Sequence, residues 1–178
     1  MGPDLLDLYD RGSAWAVETI SGITDKLDAD TPCDEWDVRT LLNHMLDTQH
    51  YFLAAALGEQ RSPPSPTPPD LLSADPVADF RKVRADVLAA YAEAGVVEKT
   101  GASVGIAFSD LLLHAWDLAS ATGQDAAMPE GLAEADYGII YGVFTEEQRK
   151  GILKPEVPVG KDASAQDRLL AYSGRDPS

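Results

Sequence analysis

The sequence predicts an all-α protein: a four-helix bundle with an additional C-terminal helix and tail. Three observations carry this reading. Apolar residues recur at helical spacing through several long segments, no stretch alternates as a half-buried strand would, and the glycine and proline breaks fall between the periodic segments. A length of 178 residues with 44% hydrophobic residues suits one domain over 1–178 with a core of its own.

The first helix is expected over Asp4 to Asp28, where Leu5, Leu8, Tyr9, Ala16, Ile20, Ile23 and Leu27 keep helical spacing and only Gly12 and Gly22 weaken it. Thr31-Pro32-Cys33-Asp34-Glu35-Trp36 breaks the pattern. Asp37 is then placed as the N-cap of a second helix from Val38 to Leu57, with Gly58 as its stop. Ser62 to Pro69 is proline-rich and is expected to be a stiff extended connection within the domain, since proline removes the donors a helix or ladder needs. Asp75-Pro76 opens a third helix with the stripe Val77, Phe80, Val83, Val87 and Tyr91. Gly95 to Gly101 reads as a break. Ala102 to Thr122 is apolar on almost every side, which marks a helix surrounded by others, and Gly123 stands at its C-cap. A further helix is expected from Leu132 to about Lys150, followed by a short amphipathic turn around Leu169, Leu170 and Tyr172.

Charge narrows the function. Thirty acidic residues against fourteen Lys and Arg give a net charge of −16, which repels nucleic acid and anionic membrane surfaces. No apolar run reaches the roughly 18 residues of a membrane span. Cys33 is the single cysteine, and the N-terminus lacks the pattern of a signal peptide, so a reducing cytoplasmic setting is expected.

The chemistry concentrates on two helices. Asp110 and His114 are four residues apart and share a face, and Asp117, three residues beyond, shares it too. Carboxylates inside so apolar a helix need a positive partner. A divalent metal would supply it, with Asp110 and His114 as two ligands and a histidine from a facing helix as a third; three protein ligands leave positions open for water or substrate. His44, on the second helix, reads by itself as a structural or surface residue. The same spacing is also met when a core histidine simply hydrogen-bonds Asp110 or Asp117 with no metal. His50 points about 120° from His44 and reads as solvent-directed. Trp15, Trp36 and Trp116 could line a pocket, but large aromatics on helical faces read first as core residues. Cys33 reads as structural, having no basic partner nearby in sequence.

Thr31-Pro32-Cys33-Asp34-Glu35-Trp36-Asp37-Val38-Arg39-Thr40-Leu41-Leu42-Asn43-His44 and Asp110-Leu111-Leu112-Leu113-His114-Ala115-Trp116-Asp117-Leu118-Ala119-Ser120-Ala121-Thr122-Gly123-Gln124 resemble two signatures of the actinobacterial DinB/YfiT-like family. The stretch from Val157 to Pro177 resembles the close of one of its subgroups. That family is related to the metal-binding N-terminal domain of mycothiol-dependent maleylpyruvate isomerase. The resemblance implies a four-helix bundle with zinc or nickel on His44, Asp110 and His114, and Asp117 behind them as an orienting group. The isomerase has Glu at the position of Asp110 and many relatives have His, so Asp110 is the shorter ligand. The resemblance further implies a low-molecular-weight thiol of the mycothiol type, activated as a metal-bound thiolate against a small electrophilic substrate. Residues 150–178 are too few for the isomerase's second domain, so that specific activity is not expected. A non-catalytic metal- or small-molecule-binding stress-response module remains the competing reading, and a homodimer paired through a helix face fits either.

Overall fold

The computed structural model describes residues 4–34 and 36–177. Its regular structure is helical: α1 (Leu5–Ser21), α2 (Val38–Leu57), α3 (Pro76–Ala92), α4 (Val96–Thr100), α5 (Ser103–Thr122), α6 (Leu132–Ile140), α7 (Glu146–Ile152) and α8 (Ala165–Tyr172). Among the described residues no helix is long and apolar enough to cross a membrane. The chain falls into two compact units, Met1–Ala126 and Ala127–Ser178.

In the first unit the four long helices form a bundle in which α1 packs on α3 and α5, and α2 packs on the same two. Their directions follow from the contacts. The start of α2 meets the approach to α3, where Asn43 Oδ1 accepts from the Leu71 and Leu72 amides at 2.6 and 3.0 Å. The later part of α2 meets the end of α3, where Tyr91 Oη donates to the Phe52 carbonyl at 3.0 Å. These two helices therefore run parallel. By contrast α2 and α5 are antiparallel, with Gln49 near Ala107 and His44 near His114. The first and fifth helices are parallel, joined by Gly12 against Phe108 at one level and Gln124 on the Thr19 carbonyl at another. The order is up, down, down, up, and the proline-rich segment is the long crossover that permits it.

The caps explain the boundaries. Asp37 accepts from the Thr40 amide at 2.8 Å to start α2, and Gly58 ends it at φ 74°. Asp75 caps α3 ahead of Pro76. α1 ends at Ser21 rather than running to Asp28, because Gly22 serves as its C-cap and a side chain there would strike Gln124. Within the expected break at Gly95–Gly101 the chain makes the single turn of α4. In the second unit the helix expected over Leu132–Lys150 is two helices: the backbone is extended at Tyr141, Gly142 takes φ 74°, and a capping box of Thr145 and Gln148 restarts it as α7. The amphipathic turn around Leu169 is a full helix, α8, opened by a Ser164–Asp167 capping box. α6 packs on α8, with Tyr172 edge-on to Tyr137 and Arg149 stacked 4.2 Å over the Tyr172 ring.

The core of the bundle is aliphatic and aromatic: Leu41, Leu42 and Met45 of α2, Leu112 and Leu118 of α5, Phe80 and Val87 of α3, and Tyr9 of α1 are buried. One polar chain crosses it. Tyr9 Oη donates to Gln49 Oε1 at 2.8 Å, and Gln49 Nε2 donates to the Ala107 carbonyl at 3.4 Å, tying three helices together. Burial pushes the Tyr9 phenol far up, so it stays a donor.

Gly12 shows packing overriding helix propensity. A Cβ there would lie 2.6 Å from Cδ2 of the fully buried Phe108 ring. Ala would gain up to about 1 kcal/mol of intrinsic propensity, yet overpacking a rigid core costs about 1–3 kcal/mol. Gly12→Ala is expected to lower the midpoint of thermal or urea unfolding. A raised midpoint would show that the α1–α5 contact can relax.

Candidate metal centre

The site is assembled by the first half of α2 and the middle of α5, antiparallel neighbours whose facing residues are brought level by the core leucines around them. His44 Nε2 lies 3.4 Å from Asp110 Oδ1, and His114 Nε2 lies 3.5 Å from the same oxygen. One ligand atom from each of the three residues falls within a 4.8 Å sphere of mutual distances. The imidazole rings meet edge to face, their centroids 5.0 Å apart. Two ligands each about 2.1 Å from a tetrahedral metal would stand about 3.4 Å apart, so the spacings to Asp110 Oδ1 fit an ion between the three residues. His44 Nδ1 and Asp110 Oδ2 are buried and have no hydrogen-bond partner among the described residues. A purely packed bundle would gain nothing from leaving these atoms unsatisfied.

Asp117 stands beside His114. Its Oδ2 is 2.9 Å from His114 Nδ1, and the residue is wholly buried. In the tautomer that donates from Nδ1, the lone pair of His114 lies on Nε2, facing Asp110. Burial opposes protonation of His44, but the hydrogen bond it donates to Asp110 and the charges of Asp110 and Asp47 outweigh it, and the pKa of His44 lies above the ordinary imidazole value. His50 does not join the cluster. It is half-buried rather than solvent-directed, and burial together with the Arg61 charge lowers its pKa.

Two residues stand at the site although the sequence favours other roles for them. Trp36, expected as a core aromatic, covers the site: its ring is 4.6 Å from that of His44 and 6.4 Å from that of His114. Its Nε1 donates to the Pro66 carbonyl at 3.1 Å, which fastens the proline-rich crossover beside the centre. Trp116, by contrast, is buried as expected. Cys33, expected to be structural, lies with Sγ 3.2 Å from Asp117 Oδ2 and 3.7 Å from His114 Nδ1. The basic partner absent from its sequence neighbourhood is 81 residues away. The turn that carries it is tightly built: Thr31 Oγ1 donates to the Trp36 carbonyl at 2.7 Å and accepts from the Cys33 amide at 3.1 Å. The sequence signals were position, because Cys33 and Trp36 lie in the turn that feeds the helix of His44, and membership of the first family-like segment.

Two proteins are similar to this chain. They are uncharacterized proteins of Mycobacterium tuberculosis, from two strains, each 29% identical over 166 residues, which is 85% of this chain and 86% of the relative. No family model matches the chain, and no solved structure matches it. The comparisons therefore name no activity, and the functional reading stands on the residues.

Proposed function

We propose that this chain holds a divalent metal, zinc or nickel, through His44, Asp110 and His114, and that it is an enzyme using a low-molecular-weight thiol of the mycothiol type on a small electrophilic substrate. The observation that supports the metal is the convergence of His44 Nε2, Asp110 Oδ1 and His114 Nε2, with the second oxygen of Asp110 buried and unpaired. The donor set, two neutral imidazoles and one carboxylate, suits zinc and nickel and leaves coordination positions open. When bound, such an ion lowers the pKa of an arriving thiol so that the nucleophile exists at neutral pH. The protein's own part is orientation. Asp117 fixes the His114 tautomer, Trp36 shields the His44 ring, and the Pro66 contact keeps the crossover in place against Trp36. The thiol reading draws on the resemblance of the two motifs to the DinB/YfiT-like family.

The test is a cobalt-loaded Cys33→Ser protein, in which the protein's own thiol is removed. Adding a low-molecular-weight thiol is expected to produce a thiolate-to-cobalt charge-transfer absorption that saturates. If cobalt binds but no such band appears at high thiol, the thiol chemistry is wrong and a metal-binding module without that reaction is left.

A further inference from the structure

Behind the His44 centre lies a second set of ligand atoms, Cys33 Sγ, His114 Nδ1 and Asp117 Oδ2, all within 4.8 Å of one another. We propose that this set is a metal site in its own right, selective for soft, thiophilic divalent ions such as cadmium. The two sets share His114 but use opposite nitrogens of its ring. The separations within the second set are 3.7 Å for sulfur to nitrogen, 2.9 Å for nitrogen to oxygen and 3.2 Å for sulfur to oxygen. A tetrahedral ion bonded at about 2.3 Å to sulfur and about 2.0–2.1 Å to nitrogen and oxygen spaces its ligands by about 3.3–3.6 Å. The observed triangle brackets that range, so small side-chain movements would seat an ion.

Charge favours the set. Thiolate and carboxylate together neutralise a divalent ion, whereas the His44 set supplies only one negative charge. Beside the wholly buried Asp117, with Cys33 and His114 only partly exposed, a neutral assembly lowers the desolvation cost of a net charge. Softness favours it as well, because sulfur prefers a soft ion such as cadmium to harder ones. Nor does the arrangement suit a catalytic thiol triad: Cys33 and Asp117 approach the same nitrogen of His114, where a triad would use both nitrogens. On binding, the thiol proton leaves to solvent and the imidazole proton moves to Nε2, which then faces Asp110 as a donor. A neutral imidazole has one lone pair on its ring nitrogens, so the two sets are alternatives, chosen by the hardness of the ion.

Cadmium alone is the probe. Titrated into the full chain, it should produce a thiolate-to-cadmium ultraviolet absorption growing with the first equivalent, and it should protect Cys33 from alkylation by a maleimide. Cys33→Ser should lose the band and at least tenfold in cadmium affinity, while His44→Ala should keep both. Cadmium binding without the band, a Cys33→Ser protein that binds as tightly as the parent, or loss of the band in His44→Ala would overturn the proposal. If Cys33→Ser does not fold, the protection of Cys33 in the parent decides: full reactivity under saturating cadmium refutes the site. Nickel retention by His44→Ala is read separately and bears on the first centre, so the two proposals fail independently.

Discussion

His44→Ala and Asp110→Ala are each expected to lose nearly all bound nickel, with affinity falling at least about 100-fold, more than the roughly 10–100-fold typical when an outer partner is removed. Two remaining ligands seldom hold a labile divalent ion. Asp117→Asn should fall within that milder range, because it disturbs the tautomer of His114 without removing a ligand. His50→Ala should leave the occupancy of untagged protein unchanged, as His50 belongs to neither ligand set. Elemental analysis of the four purified variants checks this ordering. The stability that nickel adds to the parent, about 2.7 kcal/mol at a hundredfold excess over Kd, should vanish with the occupancy. A His50→Ala protein without metal beside a full His44→Ala protein would relocate the centre.

The largest effect on stability is expected at Gln49. Replacing it by Leu roughly preserves volume but removes the acceptor of the buried Tyr9 hydroxyl and the donor to the Ala107 carbonyl. A buried polar group left without its partner costs about 1–3 kcal/mol, and this change strands two, so a loss of about 2–4 kcal/mol is expected in urea unfolding. Adding Tyr9→Phe to Gln49→Leu should restore part of that loss, since one stranded group is then gone. If the double variant is as unstable as the sum of the single ones, the Tyr9–Gln49 bond contributes nothing.

The helices of the bundle were legible because their signals are local. Asp37, Gly58, Asp75-Pro76 and Gly123 mark their own boundaries, and the period of the apolar residues needs no knowledge of the fold. The Asp110–His114 pair was legible for a related reason, since an i,i+4 carboxylate and imidazole in an apolar helix demand a partner, whereas His44 entered through the resemblance of its segment. What escaped depends on tertiary geometry. Cys33 meets His114 and Asp117 only because the Thr31–Trp36 turn brings it against α5, and no spacing within the turn encodes that. Gly12 reads locally as a weak point, whereas it is a contact surface for Phe108. The break between α6 and α7 was present as the Thr145–Gln148 capping box, but the apolar period before it masked the signal.

The parallel run of α2 and α3 bears on how the chain can assemble. Adjacent antiparallel helices joined by a short loop can dock early, as a hairpin, at little cost in loop closure. Here α1 finds its antiparallel neighbour only in α3, and α2 finds its own only in α5. The α2–α5 pairing closes a loop of some 58 residues, the separation of Gln49 and Ala107. Non-local docking of this kind slows the search relative to an up-and-down bundle of equal size. On the ribosome, α1 and α2 would emerge with their apolar faces uncovered and wait for α5 before the core could close, so that surface stays open to association until the last long helix arrives.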